Sequence, residues 1–501
     1  MPDAVESLSR TDGQFERAVS LQSASPMTCY EHGRALQRLN RHEDALRVFD
    51  KAINLNPDCA QLHIDCGEAF AALGHYQAAI DSYEKAAVLG SLDPSTLNNY
   101  AKALRQLRRF DDALRCYNAA IELAPHQAEL HNNLGNVLQY MKRFDEAIDA
   151  YRTAISLRPD SAEFYNNLGV ALKELKRLDE SLESFDTCLA RNPKYPDAIW
   201  NRALVYLTRG QFDIGWMEYE ERKRKKDPVG DRKFDKPLWS GQENVSGKTI
   251  LVYAEQGLGD VIQFCRYAGF LQDLGARVLL AVPSALQSLM RGIGPRVHIV
   301  DPNSPNLLFD FHCPIMSLPL AFKIDARRIP PPYPIAVNGE ILDFWRNRLG
   351  KKDRARIGIV WRGSVAPDPG RSIDLDVLRE CFDSRFELIC LQKEVTDNER
   401  TWLDSAGIYC PGRSLVDFSD TAALCLLVDL VISIDTSVAH LAGTLGVPVW
   451  LLLPWFPDWR WMLCGDHTPW YPSIRLFRQK QRGDWGGVVR CLCVELGSLA
   501  G

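Results

Sequence analysis

Residues recur every 34 positions through the first half of this 501-residue chain. A fixed period of that length dictates a stack of short repeated units rather than one closed core. Gly33, Gly67, Gly135 and Gly169 fall in one column, with Ala101 and Ala203 in the same column of the other two units. Ala45, Ala79, Ala113 and Ala147 form a second column, and Phe49, Tyr83, Tyr117, Tyr151 and Phe185 a third. Pro57, Pro125, Pro159 and Pro193 close their units. Small residues let two antiparallel helices approach closely, aromatics fill the seam between them, and proline ends the second helix because it cannot continue one.

This pattern resembles the tetratricopeptide repeat (TPR), in five units from Pro26 to Tyr195 and a sixth, weaker one from Pro196 to about Pro228. The expected organisation is a truncated cap over 1–25, where Gly13, Phe15 and Ala18 are out of phase, and an α-helical TPR solenoid over 26–229. A solenoid of this kind presents a concave surface to a protein partner. On that surface Asn99, Asn133, Asn167 and Asn201 should form a ladder, and stacked amides offer both donors and acceptors to an extended peptide. Protein O-linked N-acetylglucosamine transferases use an asparagine ladder in this way, although asparagine is also common in this column of ordinary repeats. Glu31 and Asp65 break the ladder in the first two units. The five bases Arg222, Lys223, Arg224, Lys225 and Lys226 read as a solvated helix end, against a phosphate or acidic-partner contact, and 230–247 as a linker.

From Lys248 onward, short apolar runs alternate with helical stretches, the signature of parallel sheets flanked by helices. The first set of strands is Thr249–Ala254, Arg277–Val282 and Val297–Val300, separated by helices over Asp260–Leu274 and Ser284–Arg291. The second set is Arg356–Trp361, Phe386–Gln392, Leu430–Ile434 and Val447–Leu453. The Pro-rich Ile329–Pro334 segment reads as a hinge, giving lobes over 248–335 and 336–501. Two such lobes place ligands at the carboxyl ends of their strands.

Two motifs fall there. The run TILVYAE leads into EQGLGDVIQF, where Gly257 and Gly259 give a tight turn and Asp260 starts a helix. Asp260 either caps that helix or stands over the cleft as a base for an acceptor hydroxyl. In the second, VISID ends at Asp435, and Thr436 and Ser437 fall at a helix start, where unpaired backbone N–H groups suit a diphosphate. His440 lies four residues after Thr436 on the same helical face. Gln392 and Lys393, at the end of FELICLQ, are further candidates for a phosphate or base contact, although an exposed lysine after a strand is usually neutral.

EQGLGD, WRGS at Trp361–Ser364, Asp368 and Arg371, DTSVAHLAGTLGVPVW, FSDTAAL, DWRW, PWYP and RLFRQ together resemble the heptosyltransferase-like glycosyltransferases (family 9-like) of the GT-B fold. The match is to a bacterial group that joins these lobes to TPR units. The resemblance implies a fold of two Rossmann-like lobes and inverting transfer of a sugar from a nucleotide-diphosphate donor, with no metal and no cofactor required. It makes Asp260 the general base. Asp435, Thr436, Ser437 and His440 match its donor-binding turn, and Arg371 a residue that holds donor phosphates. A guanidinium and helix N-terminal amides suit the charge that develops on a leaving diphosphate. DLD at Asp374–Asp376 reads as a helical first turn rather than a metal loop. Arg362 and Ser364 depart from the Ala and Asn common in relatives, and the APDPG loop is shorter and richer in proline. Trp455, Phe456, Trp459 and Trp461 either stack on a ligand or pack between lobes. Gly487–Leu499 reads as a closing helix, which in GT-B proteins often crosses back to the first lobe.

Composition narrows the alternatives. With 59 Lys and Arg against 64 Asp and Glu, the net charge of −5 gives no general field for nucleic acid. The chain starts without a basic segment leading into an apolar run, and its most apolar stretch, Leu424–Ile434, is interrupted by Asp429, so a cytoplasmic protein with no membrane span is expected. Fourteen cysteines scattered through apolar segments read as small buried hydrophobes. The expected function is a glycosyltransferase acting on a protein or glycan acceptor, with repeats that recruit the acceptor or a partner. The alternatives are a non-catalytic scaffold with degenerate lobes and a sugar-nucleotide epimerase, which would need flanking carboxylates that have no evident place.

Overall fold

The computed structural model describes residues 25–224, 234–301, 304, 307–325, 327–363, 369–382 and 384–499. The expected cap, apart from Ser25, lies outside the described residues, as do Lys225, Lys226, Ser364 and Asp368. The chain forms two compact units, Met1–Pro193 and Lys194–Gly501.

The described residues of the first unit form a solenoid of five helical hairpins: Pro26–Arg38 with His42–Leu55, Ala60–Ala72 with Tyr76–Leu89, Pro94–Gln106 with Phe110–Leu123, Ala128–Tyr140 with Phe144–Leu157, and Ala162–Glu174 with Leu178–Arg191. Proline at the first helical position and a capping side chain start two of them: Ser25 Oγ accepts from Thr28 N at 3.2 Å, and Asp93 Oδ1 from Thr96 N at 2.8 Å. The small-residue column lies against the aromatic column. A methyl built on Gly67, Gly135 or Gly169 would sit 2.6 Å from the ring of Tyr83, Tyr151 or Phe185, and all three rings are fully buried.

The second unit begins with a sixth hairpin, Pro196–Thr208 and Phe212–Tyr219. It keeps the repeat's helical pattern, but its aromatic side belongs to the α/β core. Trp216 meets Trp459 at 5.2 Å and Phe264 at 5.9 Å between ring centroids, and Phe212 meets Trp470 at 5.7 Å. The compact boundary therefore falls at Pro193, ahead of the expected end of the solenoid at 229.

Two parallel sheets follow. β1 (Thr249–Tyr253), β2 (Arg277–Ala281), β3 (Val297–Val300) and β4 (Phe311–Pro314) have the order β3-β2-β1-β4. β5 (Arg356–Val360), β6 (Glu387–Cys390), β7 (Leu430–Ile434), β8 (Val449–Leu453), β9 (His467–Thr468) and β10 (Tyr471–Arg478) have the order β6-β5-β7-β8-β10-β9. All pairs are parallel except β9 with β10. Chain order therefore reverses on either side of β1 and of β5, so the β1/β4 and β5/β7 junctions are the points where α/β sheets hold ligands.

Several sequence expectations change. The single helix over Asp260–Leu274 is two, Leu258–Phe264 and Arg266–Asp273, which meet at Cys265. β4 and β10 were not expected. Arg222 is not part of a solvated helix end; it is fully buried, because carboxylates surround it. The closing helix, Trp485–Leu499, buries Val488, Val489, Leu492 and Leu496 in the core of the second sheet, with Ile357, Leu378 and Phe477, rather than on the first. DLD does start a short helix, with Asp374 Oδ1 accepting from Asp376 N at 2.9 Å. No helix among the described residues is long and apolar enough to cross a membrane.

Candidate functional site

The carboxyl end of β1 runs through Glu255, Gln256 and Gly257 into the helix Leu258–Phe264. Asp260 occupies the third helical position, and its Oδ2 accepts from Gly257 N at 2.9 Å, so the carboxylate does cap its own helix. Its Oδ1 forms an ion pair with Arg460. Burial pushes the Asp260 carboxyl above the usual range, and Arg460 pulls it back.

The carboxyl end of β7 delivers Asp435, followed by the helix Ser437–Thr444. Thr436 stands at the N-cap, and its hydroxyl lies 3.1 Å from Ser433 Oγ without capping the helix. Thr436 and Ser437 are both half-buried. His440 is buried one turn further in, 3.8 Å from Asp435 Oδ1 through Nε2, with Nδ1 3.0 Å from the Tyr471 hydroxyl and its ring stacked on Trp461 at 5.2 Å. Burial holds this imidazole well below its ordinary pKa, and Arg460, Arg266 and Arg371 add to the effect, so it is neutral. Burial raises Asp435 to about 6, and the neighbouring Asp458 pushes in the same direction.

Gly259 is where the two motifs touch: a Cβ there would lie 2.9 Å from His440 Cδ2. Only glycine lets the β1 turn approach the β7 helix this closely. Arg371 crosses the carboxyl end of β5, with Nε 2.9 Å from where a Cβ on Gly363 would be, and its charge acts on both Asp435 and His440. Asp260, Arg371, Asp435, Thr436, Ser437 and His440 thus gather in one place. Gln392 lies beside the loop after β5 that Arg371 also meets, and Lys393 bonds elsewhere. Gln392 Oε1 accepts from Arg362 N at 3.2 Å, while Lys393 is exposed and its Nζ donates to Val416 O at 3.3 Å.

Arg460 joins the site without having been singled out among the candidate residues, although it lies within the DWRW string. Its Nε donates to Gln263 Oε1 at 2.6 Å and its Nη1 to Asp458 Oδ1 at 2.8 Å, its Nη2 pairs with Asp260, and its guanidinium lies 4.3 Å from the centroid of the Trp459 ring. It is buried, and it bridges the β1 helix to the segment that follows β8. A signal was present in the DWRW string, where an arginine flanked by tryptophans and preceded by aspartate suits a buried ion pair. Trp459 and Trp461 are themselves buried, Trp459 against the sixth hairpin and Trp461 against His440. Among the described residues no three of His, Cys, Asp and Glu gather as a metal site.

On the solenoid, three amides of the asparagine ladder bond to side chains of the preceding repeat that lie outside the ladder. Asn133 Nδ2 donates to Asn98 Oδ1 at 2.9 Å, Asn167 Nδ2 to Asn132 Oδ1 at 3.0 Å, and Asn99 Nδ2 to Glu68 Oε1 at 3.2 Å. Each amide therefore ties its repeat to the one before, and each still has a second N–H. Asn201 lies in the second unit.

Family models for the tetratricopeptide repeat match residues 93–160 and residues 30–94 and 133–196. The amino-terminal region is thus an array of tetratricopeptide repeats, a protein-interaction module, followed by parallel-sheet α/β elements. Over 343 residues the chain is 27% identical to protein FlbA of Caulobacter vibrioides, covering 59% of this chain and 54% of that protein. The chain therefore spans about half the length of this relative. Among solved structures, YrrB, a TPR protein described as having an unusual peptide-binding site, is 23% identical with a TM-score of 0.34, covering 37% of this chain and 95% of its own. MamA is 23% identical with a TM-score of 0.32, covering 34% and 92%.

Proposed function

We propose that the α/β unit is a metal-independent, inverting glycosyltransferase of the GT-B type that uses a nucleotide-diphosphate sugar, and that the repeats recruit a protein acceptor, a glycan-bearing acceptor or a partner. The observation that carries this is the meeting of two switch-point ends at Gly259 and His440, with Asp260 on one side and Arg371 and the open helix start at Thr436 and Ser437 on the other. The helix amides and Arg371 would hold the diphosphate and stabilise the charge it gains. The acceptor hydroxyl passes its proton to Asp260 as its oxygen bonds to the anomeric carbon, and the electron pair of the breaking glycosidic bond leaves on the diphosphate. Burial favours this role by raising the basicity of Asp260. His440, neutral and held by Tyr471, orients the helix start rather than adding charge.

One observation favours a scaffold instead: both oxygens of Asp260 already have partners, Gly257 N–H and Arg460. In that case the site would be a fossil ion pair and the repeats would carry the function. Thermal-shift or calorimetric titration with UDP, GDP, ADP, CMP and their sugars separates the two. A working pocket gives stabilisation by one diphosphate that is lost in Arg371→Ala. No stabilisation at millimolar ligand would leave the scaffold. Once a donor is known, Asp260→Asn should lower turnover by roughly a hundred- to ten-thousand-fold with donor binding retained, and turnover at wild-type level would remove the base assignment.

A further inference from the structure

The sixth hairpin ends in Tyr219 and continues through a short helical turn, Glu220–Arg224. Two of its side chains reach the turn that carries Asp260. The Tyr219 hydroxyl lies 3.1 Å from Gln256 Nε2 and 3.2 Å from Gln256 Oε1. Arg222 Nη2 donates to Glu255 Oε1 at 2.6 Å and to Ser317 Oγ at 2.8 Å, and its Nη1 donates to Glu220 Oε1 at 2.6 Å. Arg222 and Glu255 are both fully buried. Ser317 Oγ in turn donates to Glu220 Oε1 at 2.8 Å, and Glu255 Oε1 also accepts from Met316 N at 3.3 Å, which closes a network between the hairpin end and the loop after β4.

A buried ion pair of this kind gives up solvation on both sides, and apolar residues of the same size would fill the space at least as well. Ordinary packing therefore does not account for charge here. Its consequence is geometric: Glu255 and Gln256 are the last residues before Gly257, so the hairpin end holds the two residues that lead directly into the backbone whose N–H holds Asp260 Oδ2. The Tyr219 ring is fixed in turn by Trp200 at 4.5 Å and Trp459 at 6.4 Å. Trp459 immediately precedes Arg460, the ion-pair partner of Asp260. One aromatic side chain thus touches elements on both sides of that pair.

We infer that Tyr219 and Arg222 are positioning residues for the Asp260 turn, and that the last hairpin of the repeat pattern is a structural component of the transferase site. The inference rests on the proposed role of Asp260, but the order of the turn can be read without any substrate.

Hydrogen–deuterium exchange of full-length protein, followed over the peptide containing Ala254–Asp260, tests it. Tyr219→Phe keeps the ring and removes only the hydroxyl. It should leave global unfolding nearly unchanged while amide exchange in that peptide rises about tenfold, the effect of losing one part-buried hydrogen bond. Arg222→Met should raise it further, with Arg222→Lys restoring part of the protection. With a donor identified, Tyr219→Phe should lower kcat while leaving donor KM within about twofold, since the diphosphate is held from the other side of the site. Wild-type exchange in both Tyr219→Phe and Arg222→Met would overturn the inference whatever nucleotides bind. Faster exchange with no nucleotide binding would uphold the clamp and defeat the glycosyltransferase proposal instead.

Discussion

Asp435 and His440 are neighbours whose titrations push stability in opposite directions. Burial and Asp458 raise Asp435 to about 6, so the folded protein holds that proton more tightly than the unfolded chain. Stability is therefore lost as pH rises from about 4 to about 6. Burial depresses His440, so below about 6.5 the unfolded chain takes up a proton that the folded protein refuses, and stability is lost as pH falls through that range. Asp435→Asn should flatten the first dependence and His440→Gln the second. Urea midpoints from pH 4 to 7.5 would display both, and parallel curves for wild type and either variant would refute the corresponding assignment. These roles were only partly legible beforehand. Asp435, Thr436 and His440 stand out because an apolar run ends in an aspartate and turns into a helix. Arg222 was hidden inside five consecutive bases, a pattern that ordinarily points to solvent. Its long-range partners, Glu255 and Ser317, come from distant segments that no local pattern joins to it.

Among the elements, the helix seam of the solenoid was the most legible, because each repeat restates it. Gly135 lies under Tyr151 with room for no side chain, yet the equivalent residue one repeat earlier is Ala101, opposite Tyr117. The seam can therefore open by the width of a methyl. Replacing glycine by alanine in a helix gains about 1 kcal/mol of intrinsic preference, which offsets much of the strain, so Gly135→Ala should stay within about 1 kcal/mol of wild type. Gly135→Val adds two further methyls against a fully buried ring and should lose roughly 1–3 kcal/mol beyond that. Chemical unfolding of the two variants decides it, and equal stabilities would mean that the column is not steric in origin. Strands were harder to find. β10 spans YPSIRLFR, where Pro472, Arg475 and Arg478 interrupt the apolar run, and Arg475 is satisfied by a bidentate pair with Glu495 at 2.8 Å that no local pattern announces. β4 is four residues long and ends in Pro314, too short for alternation to register.

At the scale of the molecule, the 34-residue pattern and the packing units end in different places. Periodicity carries the repeats to about 228, because the sixth hairpin keeps the same small and aromatic columns. Packing assigns that hairpin to Lys194–Gly501, because Phe212, Trp216 and Tyr219 are buried among Phe264, Trp459 and Trp470. A single pattern thus serves two cores, and sequence cannot tell which neighbour buries a given face. Truncation can. A fragment starting at Lys194 keeps all three aromatics, whereas one starting at Phe234 uncovers Trp459, Trp470 and Phe264 together and leaves Glu255 without Arg222. Losing one large buried aromatic typically costs about 3–5 kcal/mol, and a whole domain has only about 5–15 kcal/mol to lose. The 194–501 fragment should therefore melt cooperatively with native circular dichroism, and the 234–501 fragment should be insoluble or lack a cooperative transition. Equal melting of both fragments would show that the hairpin is an appendage of the solenoid and would return the domain boundary to the end of the repeat pattern.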